Sequence, residues 1–231
     1  MAIIYDLARL AQSGLKAQQS AQRDWSPLLV HFTSYAAMKS VRMLVGQKSG
    51  VLSSDVKTAL DKADDKSYQI VHQILSGASP FLLARSPKPK EGIPDCVCLS
   101  ECTLPGLFGH SERFGRFGFV FRKNAIFRLG GRPCLYMDSA DYGWLDKQHD
   151  TDQDAQRVWG LSNVYTPAGV GRVQDFTVER EWRVFGNVPL ANHLSAVLAP
   201  DMYVDRTSGL LKGVGLAVPV LPIDTLYDWG V

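Results

Sequence analysis

Residues 176–185 read FTVEREWRVF. Alternating apolar and charged residues rich in Val, Phe and Trp predict a β-strand. In a strand, side chains two apart share a face, so Glu179 and Glu181 project together while Val178, Arg180 and Trp182 project oppositely. Two carboxylates on one face raise each other's pKa and can divide acid–base and electrostatic work. The same spacing equally suits a solvated edge on which both glutamates pair with arginines. Further strands are expected at 96–99, at 117–121, at 134–137 after the Gly130-Gly131 turn, and late at 213–221. Residues 138–157 are acidic and polar, a loop or a surface helix.

The first third has a different period. Ile4, Leu7, Ala8, Leu10, Ala11 and Leu15 are spaced for one helix face, predicting an N-terminal helix over 3–22. A short apolar strand at 28–30 follows, then a helix over about 35–45 capped by Thr33 or Ser34 and stopped at Gly46. Ser53 or Ser54 opens a longer helix reaching about Leu75, and the proline-rich stretch 80–94 reads as a loop. Helices first and strands after give an α+β chain, taken as a single domain over 1–231 with an N-terminal helix in 1–27 and a helical insert at 48–94.

Composition bounds the function. The 231 residues are 45% hydrophobic and 10% aromatic, enough for a core, which excludes a disordered chain. A net charge of +2 means that any nucleic-acid contact must rest on a local patch. The longest apolar run, 214–220, is broken by Gly215 and Pro219 and is far short of the roughly 18–20 residues needed to span a bilayer. Asp6 and Arg9 stand where a signal peptide needs apolar residues, so a cytoplasmic protein without membrane contact is expected. Cys96, Cys98 and Cys102 crowd one segment, with Cys134 apart. They read as reduced core thiols, or Cys96, Cys98 and Cys102 read as a zinc set completed by Cys134 or His110. There is no P-loop, no HExxH and no G-x-S-x-G.

Three features carry chemistry. His31-Phe32-Thr33-Ser34 ends an apolar strand, where a histidine either meets a ligand or bonds a carbonyl in the core. The pair Glu179/Glu181 is the second. The third, RFGRFGFVFRKNAIFRLGGR (113–132), holds six basic residues, five phenylalanines and no acid. Such interleaving suits base stacking and phosphate contact, or a core of rings with arginines at its rim.

Together these segments resemble a known group. LLVHFTSYAAMKSVR (28–42) resembles the opening His-strand of the DarT-like and AbiGi-like branch of ADP-ribosyltransferases. CVCLSECTL (96–104) resembles the C-F-S-E-x-P-L segment of AbiGi-like abortive-infection proteins, with Leu99 and Thr103 as departures. RFGRFGFVFRKNAIFRLGGRPCLYM (113–137) and VEREWRVF (178–185) resemble their R-Y-G-x-Y-G and E-x-E-W-R blocks. The pieces run in order across roughly two-thirds of the chain.

The resemblance implies an ADP-ribosyltransferase-like split β core and an NAD-dependent glycosyl transfer through an oxocarbenium-like state. On that resemblance Glu181 holds the ribose 2′-hydroxyl and stabilises the cation, and Glu179 positions or deprotonates the acceptor. His31 bonds the adenosine-side ribose, while the Phe32 backbone and adjoining Thr33 hold the nicotinamide end. Ser100 supports Glu181 from the neighbouring strand. Phe114 or Phe117 stacks on nicotinamide, and Arg113 or Arg116 meets the pyrophosphate. The implied acceptor is nucleic acid, RNA or single-stranded DNA, read in part by the loop 165–175. A toxin of a toxin–antitoxin or phage-defence system, with an antitoxin partner, is the implied setting. The alternatives are a non-catalytic AbiGi-like antitoxin or regulator and a zinc-supported nucleic-acid-binding module.

Overall fold

The computed structural model describes residues 26–33, 36–45, 53–77, 79–85, 94–148, 152–166 and 177–229. The expected helix over 3–22 and most of the loop 165–175 lie outside them. In chain order the elements are β1 (Leu28–Phe32), α1 (Lys39–Val45), α2 (Ser53–Leu75), β2 (Phe81–Leu82), β3 (Cys96–Glu101), α3 (Leu104–Phe114), β4 (Gly118–Arg122), α4 (Lys123–Arg128), β5 (Arg132–Pro133) and β6 (Leu135–Met137). They continue with α5 (Ser139–Gln148), α6 (Gln153–Gly160), β7 (Ser162–Val164), a 3₁₀ turn (Thr177–Glu179), β8 (Glu181–Phe185), β9 (Val188–Pro189), β10 (Leu194–Ala199), a second 3₁₀ turn (Asp201–Tyr203), α7 (Val204–Gly213), β11 (Val220–Pro222) and α8 (Ile223–Trp229). The chain is a mixed α+β protein.

The chain divides into two compact units. The first draws on Met1–Phe81, Cys102–Arg122 and Pro189–Val231, the second on Leu82–Glu101 and Lys123–Val188. In the first, strands run in the order β11-β10-β4-β1. β4 pairs antiparallel with both β1 and β10, and β11 joins β10 in parallel. Phe119, Val120 and Phe121 of β4 are all buried, so this strand is covered on both faces and does not alternate. Leu28, Val30, Leu107, Val120, Leu198 and Leu226 form one core cluster. Ala63 of α2 packs with Met38 and Val41, so α2 contributes to a core cluster of this unit.

Thr103 accepts from Gly106 N–H at 3.3 Å as N-cap of α3, and Gly115 at φ 100° ends that helix. The Thr-Leu-Pro sequence carried this start signal, although no helix was expected there.

In the second unit β8 lies between β3 and β5, antiparallel to both, and β6 pairs with β7 in parallel. Trp159, fully buried, packs with Tyr142 and Leu145 of α5. The acidic stretch 138–157 thus forms two helices, started by the Asp138 and Asp152 carboxylates on backbone N–H groups. The Gly130-Gly131 turn is a helix stop. Gly131 N–H donates to Ile126 O and Gly130 N–H to Phe127 O, with Gly130 at φ 87°, a Schellman ending of α4. A Cβ on Gly131 would come within 2.5 Å of Ile126 Cγ2 and 2.8 Å of Ile126 O. Gly131→Ala is therefore expected to cost about 1–3 kcal/mol by displacing the α4 terminus. Urea denaturation checks this, and an unchanged midpoint would refute the close approach.

Candidate functional site

The strand FTVEREWRVF is shorter than its alternation suggests. Thr177–Glu179 is a 3₁₀ turn, Arg180 takes φ 42°, and the strand proper starts at Glu181. Glu179 and Glu181 therefore do not share a strand face, because a left-handed residue between them breaks the two-residue period. Two backbone bonds hold Arg180 there: its N–H donates to Thr177 O at 3.1 Å, and its carbonyl accepts from Glu101 N–H at 3.1 Å. The cost of a left-handed non-glycine residue, of order 1–2 kcal/mol, is met at the entrance to the strand that carries Glu181.

Glu181 is buried, with 8% of its surface exposed. Arg183, two residues on and on the same face, donates from Nε to Oε1 at 2.9 Å and from Nη2 to Oε2 at 3.0 Å. Asn163 Nδ2 reaches Oε2 at 3.3 Å, and the Cys98 and Cys134 thiols lie close enough to favour the charged carboxylate. These three N–H donors take up three of the roughly four lone-pair sites a carboxylate offers. Burial alone would push the Glu181 carboxyl up, but the bonded Arg183 guanidinium outweighs it and holds the pKa below the usual range. Arg183 also donates to Gly160 O at 2.7 Å and Ser162 O at 3.2 Å, tying β8 to the α6–β7 corner.

Ser100 stands directly opposite Glu181 in the β3–β8 register, the neighbouring-strand position expected of it. Tyr136 accepts the Glu181 N–H at 3.0 Å, and its phenol is pushed up to about 12, first by burial. Glu179 is half-buried and lies close enough to Tyr136 to contribute to that rise.

A second carboxylate was missed by sequence reading. Glu101, at the end of β3, bonds Lys123 Nζ at 2.8 Å and lies 3.8 Å from Arg180 Nη1. Lys123 stands over the Trp182 ring at 5.6 Å, and burial lowers its pKa although Glu101 opposes that. Glu101 and Lys123 both sit inside the quoted motif blocks, in LSE and FRK, which was the available signal.

In the first unit, β1 extends through the predicted histidine. His31 pairs with Phe119 and Phe32 with Gly118, and Thr33 N–H donates to Phe117 O at 3.3 Å. His31, Phe32 and Thr33 are each half-buried. The Phe32 ring packs against Phe114 with centroids 6.2 Å apart, and against His110 at 6.0 Å. His110 and Phe114 are 5.8 Å apart, and the Arg113 guanidinium lies 5.1 Å from the Phe114 centroid. Phe32, Arg113 and Phe114 are thus brought together at the carboxyl end of β1.

Two other assignments are corrected. Phe117 is fully buried against Tyr68 and Tyr203, so its ring has no face to offer nicotinamide. Arg116 is committed to Asp64 and Asp224, which leaves its guanidinium no fork for a pyrophosphate. The basic–aromatic stretch is divided likewise: Phe117, Phe119 and Phe121 are core, while Phe127 is exposed beneath Arg132 at 4.0 Å.

The four cysteines are reduced, with no disulfide among the described residues, and Cys102 belongs to the apolar cluster of the first unit. Among the described residues no group of three or more His, Cys, Asp or Glu side chains is arranged to hold a metal ion. Nor is any helix among them long and apolar enough to cross a membrane. No family model matches the chain, and no curated protein or solved structure matches it either.

Proposed function

We propose that this chain is an NAD-dependent ADP-ribosyltransferase acting on a nucleic-acid acceptor, RNA or single-stranded DNA, as the toxin of a toxin–antitoxin or phage-defence system. The observation that carries the reading is the ring array at the end of β1, where Phe32 and Phe114 pack together beside Arg113. A half-buried aromatic pair with an adjacent guanidinium suits a planar cationic heterocycle joined to a pyrophosphate. His31, one residue earlier, would bond the adenosine-side ribose, and the Phe32 backbone and Thr33 would receive the nicotinamide end.

The two glutamates divide the remaining work unequally. In glycosyl cleavage a carboxylate must accept the ribose 2′-hydroxyl and face the developing cation. Glu181 is ionised and suited by charge, and Ser100 opposite it would steady its rotamer. Glu179, outside the strand and beside Tyr136, would receive the acceptor's proton. A second reading, a non-catalytic AbiGi-like regulator that binds a partner protein, is favoured by one observation: Arg183 and Asn163 already occupy the Glu181 carboxylate.

Labelled NAD incubated with separate pools of single-stranded DNA, RNA and protein decides between them. Label in a nucleic-acid pool, reduced on the order of 100-fold or more in Glu179→Gln, is expected for the transferase, by analogy with the loss of one acid–base group. Absence of label in every pool, with no NAD binding by calorimetry, leaves the regulator.

A further inference from the structure

β3 opens Cys96-Val97-Cys98, and residues two apart in a strand project from one face. Here the two sulfurs lie 3.9 Å apart. Cys96 is buried, whereas Cys98 is half-buried and reaches solvent. Across the β3–β8 register Cys98 faces Arg183, and Ser100 on the same face stands opposite Glu181. The two thiols therefore share a face with the buried ion pair, whose members pull on them in opposite senses. The Arg183 guanidinium favours a thiolate and the Glu181 carboxylate disfavours one. Contact between the sulfurs decides the outcome: the bond from Cys98 holds the Cys96 thiol below its usual range, while Cys98 is pushed up. One proton then serves two sulfurs, and the first ionisation belongs to the pair. The other two cysteines lack this setting. Cys102 packs in the apolar cluster of the first unit, and burial pushes the Cys134 thiol far up.

We infer that Cys96 and Cys98 form a reversible oxidation site, which a hydroperoxide closes into a disulfide within β3. The inference is independent of the transferase reading. The half-buried Cys98 meets the oxidant: its sulfur attacks the hydroperoxide, the O–O bond breaks, and an alcohol leaves, or water when the oxidant is hydrogen peroxide. The Cys98 sulfenic acid so formed is then attacked by Cys96; the S–O bond breaks and water leaves. Two thiols lose two electrons and two protons, and the hydroperoxide is reduced. Two residues of strand span roughly 6.6 Å, near the upper limit of the Cα separation that a disulfide bridges. The strand must pucker at Val97 to close, and a bridge made under strain is readily reduced again. Closure draws Cys98 towards Cys96 and away from the Glu181 carboxylate, which Cys98 helps to keep charged. Oxidation at the start of β3 thus loosens the ion pair on β8.

The test treats the folded full chain with hydrogen peroxide, then alkylates it in denaturant and maps the peptides by mass. The alkylatable thiols are expected to fall from the four of the reduced chain to two, and to return to four after dithiothreitol. Fragment masses should place the bridge between residues 96 and 98. Cys98→Ser should show no reversible loss of thiols. The oxidised chain should also unfold at a lower urea concentration than the reduced one, a difference that dithiothreitol abolishes. An unchanged thiol count overturns the inference, as does a bridge to Cys102, to Cys134 or to a second chain. Oxidation that dithiothreitol cannot reverse overturns it as well. A 96–98 bridge with an unaltered urea midpoint refutes the link to Glu181.

Discussion

Glu181→Gln is expected to lower the free energy of unfolding by about 3–5 kcal/mol at neutral pH, because it strands the Arg183 guanidinium in the interior with no anion. Arg183 is 3% exposed, and its remaining partners are carbonyls. The pH dependence separates this cause from simple mispacking. The folded Glu181 pKa lies below the ordinary 4.5. Its contribution is therefore complete above that value and is lost as the pH falls through the lowered folded pKa. Urea midpoints of wild type and variant should differ most near neutrality and converge in acid. A gap that stays constant down to acid pH would show that the charge pair is not its source. Replacing both partners, as in Glu181→Leu with Arg183→Met, should recover most of the loss, since a buried pair often gives no net stability over apolar residues of similar size.

Arg116→Met should cost a similar amount, about 3–5 kcal/mol, and its deficit too should shrink in acid, here because the variant gains stability. It leaves Asp64, 1% exposed on α2, facing Asp224 without the cation that binds both. Burial already raises the Asp64 pKa against the pull of Arg116, and without Arg116 only burial and the Asp224 and Asp61 carboxylates act on it, all of which raise it. A folded pKa above the unfolded 3.8 means that the variant gains relative stability as the pH falls and Asp64 takes up its proton. Denaturation at pH 4.5 and pH 7.5 checks this, and a larger deficit at the lower pH would contradict it. Under the ion-pair account, any loss of NAD binding in Arg116→Met should track the fraction unfolded. A loss in fully folded protein would return Arg116 to the ligand.

What the sequence disclosed depends on which forces are local. The helix at 53–75 and the strand through Leu28, Leu29 and Val30 follow from periodicity and caps, which neighbouring residues determine. The helix at 104–114 was signalled by Thr103 and Pro105 but overshadowed by the cysteine cluster before it. The strand through Glu181 was read too long. Its alternation continues on paper to Phe176, while Arg180 leaves the strand conformation because its N–H and carbonyl are bonded to Thr177 and Glu101. No local pattern announces such a residue. The same holds for the site. His31, Phe32 and Phe114 were legible as types in a motif, whereas Arg116 and Phe117 in that block were claimed by α2 and the 3₁₀ turn at Asp201–Tyr203, partners distant in sequence.

The order of synthesis gives the chain's connectivity a further meaning. The first unit is assembled from three separated stretches, and β4 is flanked by β1 from early in the chain and by β10 from late in it. Until residues 194–199 have been made, one edge of β4 lacks its native partner while Phe119 and Phe121 await cover. The second unit's last strand, β8, is complete at Phe185 and can close first. Nascent chains should therefore protect the second unit from protease before the first, with the long-range pairing of β4 and β10 as the late, aggregation-exposed step.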